Sequence, residues 1–251
     1  MAQKTLETLI FNNMPALPYA VEEAVNRLRV NISFLGRDIR KIMVVSTLPN
    51  EGKSFVAVHL WRQMAEAGIS SLLVDADLRK SVMAEVYDLR AVNAGTKMVG
   101  TSHYLSGNMD IRYALYHTNI ENGDIMPNVD NVINPSLLLE SDFFEEMLNA
   151  VGKIYDYVFV DSPPLDLVSD GERIASLCDG AVLVVRGGIT SRKMVKNSIR
   201  QLERAGCPLL GIVLNRVEGA RGGYYYRKYG KSRYYGGKYY GGDKYYYGKH
   251  K

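Results

Sequence analysis

The sequence predicts an α/β fold, a mostly parallel central sheet with helices on both faces. Three observations carry this reading. Short apolar, β-branched runs recur along the chain: KIMVVS (41–46), SSLLVDAD (70–77), DYVFVDSPP (156–164), GAVLVV (180–185) and PLLGIVLN (208–215). Segments with helical spacing lie between them. The runs show no polar alternation, which marks strands covered on both faces, and that is the habit of parallel sheets built from βαβ units.

Residues 1–20 are polar, mixed and carry Pro15 and Pro18, so they read as an extended arm. Val21, Val25, Leu28 and Ile32 then recur at helical intervals. The strand 41–46 enters a turn, and 51–68 reads as a helix stopped by Gly68, a residue suited to the left-handed position after a helix. Further helices are expected over 137–150, 171–177 and 191–205. Residues 80–133 carry the weakest pattern and are expected to form loops and short helices over the site-bearing face. Three segments follow: 1–40, an arm and helix available for oligomerisation; 41–220, the α/β domain; and 221–251, a tail.

Of the 251 residues, 47% are hydrophobic and 23% charged, ordinary values for a soluble globular protein. The net charge of +4 hides a split. Residues 221–251 carry nine Lys/Arg against one acid, while 1–220 carry 22 Lys/Arg against 26 acids. The body is mildly acidic and the tail strongly basic. Cys178 and Cys207 form no CxxC pair, so buried thiols in a reducing compartment are expected rather than zinc or disulfides. No run of about 18 apolar residues and no signal-peptide core occurs, so the chain reads as cytoplasmic, reaching the inner face of the cell membrane through a partner.

After the first strong strand comes TLPNEGKS (47–54). A phosphate-binding loop needs converging backbone N–H groups, a lysine for the terminal phosphates and a hydroxyl for Mg²⁺. Gly52, Lys53 and Ser54 supply that ending, the helix behind them adds its positive dipole end, and Pro49, Asn50, Glu51 and Phe55 complete the cradle. The usual opening glycine is Thr47. Two other strands end in acids: Asp75 and Asp77 in LLVDADLR, and Asp161 in VFVDSPP. Carboxylates at the carboxyl edge of a parallel sheet, beside a phosphate loop, suit a magnesium nucleotide, so ATP and Mg²⁺ are the expected ligands. Taken singly, each acid also fits as the cap of the next helix.

The combination resembles the bacterial tyrosine kinases of capsule and exopolysaccharide synthesis. These have a P-loop ATPase fold of the MinD/ParA type. The resemblance rests on PNEGKS, the runs ending DADLR and DSPP, NPSLLLES (134–141), DGAVLVVR (179–186), GIVLN (211–215) and the tyrosine-rich end, and it covers residues 20–251. It implies that Lys53 holds the β- and γ-phosphates, that Ser54, Asp77 and Asp161 support the metal, and that Asp75 accepts the tyrosine proton. It places Asn215 at the adenine. It further implies a membrane-embedded activator of the chain-length type and a ring-like homo-oligomer using Glu23 and Arg29. The pattern departs from the family at Asn50, where a glycine is usual, and at Asn26, where the first arginine of the ring motif belongs. Asn tolerates the left-handed backbone, so the loop is expected to close.

The tail contains Tyr224, Tyr225, Tyr226, Tyr229, Tyr234, Tyr235, Tyr239, Tyr240, Tyr245, Tyr246 and Tyr247, set among glycine and lysine. That composition cannot form a core and is expected to be disordered. A spacer needs no tyrosine. Nucleic-acid binding fits the charge and rings but is not expected, because a tethered phosphoacceptor accounts for tyrosine, flexible glycine and a basic charge attracted to an acidic body. Two rival functions remain. A ParA/MinD-like positioning ATPase carries a lysine after the loop's opening glycine, where this chain has Thr47-Leu48. A non-catalytic ATP-switched scaffold would have no use for the acid set. His59, His103, His117 and His250 are scattered and carry no assigned chemistry.

Overall fold

The computed structural model describes residues 6–217 apart from 94 and 108; segment 221–251, with its eleven tyrosines, lies outside the described residues. In chain order the elements are β1 (Glu7–Phe11), α1 (Tyr19–Ser33), β2 (Lys41–Ser46), α2 (Lys53–Glu66), β3 (Ser71–Asp75), α3 (Met83–Val86), β4 (Leu89–Ala91), α4 (Thr101–Leu105), β5 (Tyr116–Thr118), β6 (Gly123–Met126), α5 (Ser136–Leu139), α6 (Asp142–Val151), β7 (Tyr157–Asp161), α7 (Asp170–Ala175), β8 (Gly180–Arg186), α8 (Arg192–Arg204) and β9 (Leu209–Asn215).

Among the described residues the strands form one sheet in the order β4-β1-β5-β6-β3-β7-β2-β8-β9. From β6 to β9 every neighbouring pair is parallel. The five strands expected from sequence therefore all lie side by side, and β6 joins them. Antiparallel pairing appears only at β5–β6 and β1–β4.

Period-two alternation divides the core between the two faces. Met43, Val45, Leu72, Val74, Val158 and Val160 pack on one face with Phe144, Met147, Leu148 and Leu202 of α6 and α8. Ile42, Val44, Leu73 and Phe159 pack on the other with Leu60, Trp61 and Met64 of α2 and Val25 and Ile32 of α1. Each fully buried aliphatic or aromatic side chain contributes about 1.5–3 kcal/mol. Cys178 and Cys207 are free and buried, and burial pushes the Cys207 thiol up to about 12.

The structure amends four expectations. Residues 7–11 are extended, but as a sheet strand whose Leu9 and Phe11 are buried, not as a loose arm. Residues 80–133 hold β4, β5 and β6 besides loops and short helices. The expected helix 137–150 is two helices, broken where the Ser141 hydroxyl donates to the Leu138 carbonyl and Ser141 becomes the cap of α6. The helix expected from residue 51 starts at Lys53, because Glu51 and Gly52 are used in the preceding loop.

His59, on α2, is fully buried, with neither ring nitrogen hydrogen-bonded. Its ring centroid lies 4.3 Å from that of Phe55 and 6.2 Å from that of Tyr87. Burial, helped by the Arg62 guanidinium and opposed by Glu22, pushes the imidazole down to about 4. The folded state therefore resists protonation that the unfolded chain accepts near pH 6.5, and stability falls as pH drops from there toward 4. Between pH 7 and pH 5 this one group removes about 2 kcal/mol of stability. Urea unfolding at the two pH values should show that loss in the native chain and its absence in His59→Phe; equal losses in both would assign the acid sensitivity elsewhere.

Candidate active site

The phosphate loop leaves the carboxyl end of β2 and wraps onto the first turn of α2. Its left-handed residues are Asn50 (φ 61°) and Gly52 (φ 95°). Asn50 thus adopts the conformation expected of it. Thr47 needs no positive φ; it is buried, and its hydroxyl oxygen accepts from Ser198 Oγ of α8 at 3.0 Å. That contact accounts for a threonine at the position of the usual glycine. Gly52 is required twice over, by its φ and because a Cβ there would lie 2.2 Å from Asn215 Nδ2.

The loop is clasped by a buried carboxylate. Glu51 is 1% exposed. Its Oε2 accepts from the Leu48 backbone N–H at 2.7 Å, while Oε1 accepts from the Arg186 N–H at 3.0 Å and from the Thr190 hydroxyl. Asn215 Nδ2 donates to the Glu51 carbonyl at 2.9 Å, and Asn215 Oδ1 accepts from the Arg216 N–H. Glu51 and Asn215 therefore tie the loop to the ends of β8 and β9, which the GKS motif alone does not reveal. Pro49 is half-buried beside them, and the Phe55 ring faces inward on His59.

The acids come together as the strand ends predict. Asp75 and Asp161 are register partners on β3 and β7, and Asp161 is also paired with Val44 of β2. Both are buried, as is Asp77 just beyond β3. Asp77 does not continue the strand: its backbone N–H donates to Asp75 Oδ1 at 3.2 Å, folding the DAD turn onto itself. Lys53 Nζ donates to Asp77 Oδ2 at 2.8 Å and to Ser54 Oγ at 3.3 Å, and lies 3.6 Å from Asp161 Oδ1.

Burial alone would lower the Lys53 ammonium, but the carboxylates of Asp161, Asp77 and Asp75 override it and hold the group above its ordinary range. Burial pushes Asp75 well up, as do Asp161 and Asp77, against the pull of the Ser81 hydroxyl and Lys53. Asp161 is raised by burial too, although Lys53 and Ser54 restrain it. Ser81 was not legible as a partner: its hydroxyl donates to Asp75 Oδ2 and accepts from the Met83 N–H at 3.2 Å. Arg79 of the same turn forks onto Asp170 at 2.6 and 3.2 Å and donates to Ser136, pinning the DADLR turn to α5 and α7.

These groups fit a magnesium nucleotide. Asp161 Oδ1 is buried without a hydrogen bond, its one charge partner Lys53 Nζ standing off at 3.6 Å, which leaves the oxygen free to take a metal or its water. Among the described residues no group of three or more His, Cys, Asp and Glu forms a ready-made metal cage. Mg²⁺ rarely uses one, since it takes one or two carboxylates together with substrate phosphates and water. The fold's positive helix end, at α2, faces the same place.

Glu23, Asn26 and Arg29, the positions compared with the family's ring motif, lie on α1. Arg29 Nε and Nη2 donate to Asn26 Oδ1 at 3.1 and 3.0 Å, so the residue that departs from the family pattern holds the arginine that keeps it. Glu22, not Glu23, fastens α1 to α2, accepting from Arg62 at 2.8 Å and Gln63 at 2.8 Å. Glu23 is half-buried.

The family described as AAA domain matches residues 40–184. A tyrosine-protein kinase, CpsD of Streptococcus agalactiae, is 37% identical over 211 residues, covering 84% of this chain and 90% of that protein. The kinase domain of the Escherichia coli tyrosine kinase ETK superposes with a TM-score of 0.70 at 26% identity, covering 84% of this chain and 86% of that domain. The septum site-determining protein MinD of Pyrococcus horikoshii, solved with Mg-ADP, gives 0.59 at 25% identity, covering 71% of this chain and 70% of its own.

Removing the clasp tests the loop's construction. Glu51→Ala leaves the Leu48 and Arg186 amides without their acceptor, at about 1–3 kcal/mol. ATP affinity measured by calorimetry should fall at least tenfold although Lys53, Ser54 and the three aspartates are untouched. Unchanged affinity would mean that the loop holds its shape without Glu51.

Proposed function

The chain belongs to the bacterial tyrosine-protein kinases with a P-loop ATPase fold, and on that premise we propose that it phosphorylates its own C-terminal tyrosines in trans and so regulates capsular or exopolysaccharide synthesis and export. The observation that supports this best is the convergence of Lys53, Asp75, Asp77 and Asp161 on one buried point beside the phosphate loop. A positioning ATPase shares the fold, but the relatives named as tyrosine kinases align over more of the chain.

ATP is the phosphoryl donor. Lys53 and the backbone N–H groups of residues 50–54 hold its β- and γ-phosphates, and Asn215, anchored to the loop, meets the base. Ser54, Asp77 and Asp161 would hold Mg²⁺, which would neutralise phosphate charge there. The acceptor oxygen of a tyrosine forms a bond to Pγ as the bond from Pγ to the ADP oxygen breaks, and the phenolic proton passes to an oxygen of Asp75. A carboxylate whose proton affinity is raised by burial suits that role. Most of the acceleration is positioning and charge stabilisation, as in other phosphoryl transfers.

The acceptors are the eleven tyrosines between residues 224 and 247. Each phosphate adds about −1.5 to −2 charges, so four or five cancel the tail's excess and weaken its attraction to the acidic body. No helix among the described residues is long and apolar enough to cross a membrane. A membrane-embedded activator of the chain-length type supplies that attachment, and copies of the chain form a ring in which one tail reaches the next site.

Two experiments test these roles. Asp75→Asn should cut the transfer rate by more than a hundredfold while changing ATP affinity less than threefold; equal loss of both would remove Asp75 from the proton step. For transfer in trans, Lys53→Met carrying the native tail is mixed with a chain whose eleven tail tyrosines are phenylalanine. Phosphotyrosine should appear on the Lys53→Met chains, and its absence there, with the native chain active alone, would make the reaction intramolecular.

A further inference from the structure

The oxygen assigned to receive the tyrosine proton already has a hydroxyl on it. Ser81 Oγ donates to Asp75 Oδ2 from the turn between β3 and α3, and Asp75 itself is fully buried. Ser81 is held there from both sides. Its backbone N–H donates to Asn131 Oδ1 at 3.1 Å, and its hydroxyl oxygen accepts from the Met83 N–H at 3.2 Å. The other oxygen of Asp75 accepts from the Asp77 N–H, inside the DAD turn. Oδ2 has no backbone donor of this kind, and the hydroxyl it accepts from is that of Ser81. Ser81 is half-buried at this edge.

We propose that Ser81 is a positioning residue for the acceptor: its hydroxyl stands where the substrate tyrosine hydroxyl must bind Asp75, competes with it one for one, and thereby sets the acceptor affinity. This inference rests on the kinase reading above and on Asp75 as the proton acceptor. A serine hydroxyl and a phenol make the same kind of bond to a carboxylate, so exchanging one for the other conserves the hydrogen bonds of Asp75. What the tyrosine must overcome is the Ser81 contact, worth about as much as one hydrogen bond to a charged group. Lys53 Nζ bonds to Asp77 Oδ2 and not to Ser81 or Asp75, so the competition touches the acceptor and not ATP. A single serine in a turn with no repeating pattern carries no sign of this in the sequence.

The experiment measures transfer to a synthetic, isotope-labelled peptide spanning residues 233–247, using the full-length chain, with peptide and ATP each varied. Phosphotyrosine on the peptide from the native chain establishes the kinase reading by itself; its complete absence would remove both that reading and this one. Given transfer, Ser81→Ala should lower KM for the peptide about fivefold or more while KM for ATP stays within twofold. Ser81→Thr, which restores a hydroxyl, should return the peptide KM toward the native value. An unchanged or raised peptide KM in Ser81→Ala, or a parallel change in KM for ATP, would overturn the inference while leaving the kinase intact.

Discussion

Three carboxylates sit within the fold's interior at one edge, and a single lysine ammonium lies among them. Asp75, Asp77 and Asp161 are each at most 3% exposed, and Lys53 Nζ touches Asp77 and faces Asp161. Burying that much negative charge is costly, and removing the one cation from such a cluster leaves uncompensated charge in a poorly solvated place. The remainder of the structure is arranged to keep the cluster together. Parallel β3, β7 and β2 set the strand ends in register, so that Asp75 faces Asp161 and Asp161 faces Val44, two residues before Ser46 closes the strand that feeds the loop. A charge arrangement short of positive partners is also what a metal–triphosphate complex requires, so the instability and the function have one origin.

A second constraint concerns the loop. A cradle of backbone amides works only if its carbonyls are turned away, and that demands anchors behind it. Glu51 and Asn215 provide them by spending their side chains on backbone groups of the loop and of the ends of β8 and β9. Strand β9 therefore ends beside the loop, with Asn215 as the tie between them.

The strands, the phosphate loop and the acid set were legible because each is local: a β-branched run, a GKS ending and a terminal aspartate each occupy fewer than ten residues. Asn50 was legible for the same reason, since its left-handed backbone follows from its side chain. What stayed hidden depends on distant partners. Glu51 reads as a loop residue until Arg186 and Thr190 are seen to meet it, 135 and 139 residues away. Strand β1 pairs with β4 and β5, both in the stretch whose periodicity is weakest, and its Phe11 is covered by the distant Trp61 and Tyr87. The break between α5 and α6 turns on one serine hydroxyl competing for a carbonyl, a contest that periodicity does not register. Asn26 was seen as a departure, but that it would hold Arg29 was not.

The charge cluster is proposed to deliver phosphate to tyrosine and not to water. This is tested most directly by incubating the full-length chain with ATP labelled in the γ-phosphate and Mg²⁺, with and without the cytoplasmic segment of the activator, and locating the label by mass spectrometry. The account predicts label on tyrosines between residues 224 and 247, rising when the activator segment is added. Label recovered only as inorganic phosphate, under both conditions, would contradict it and make the chain a nucleotide hydrolase of the positioning type.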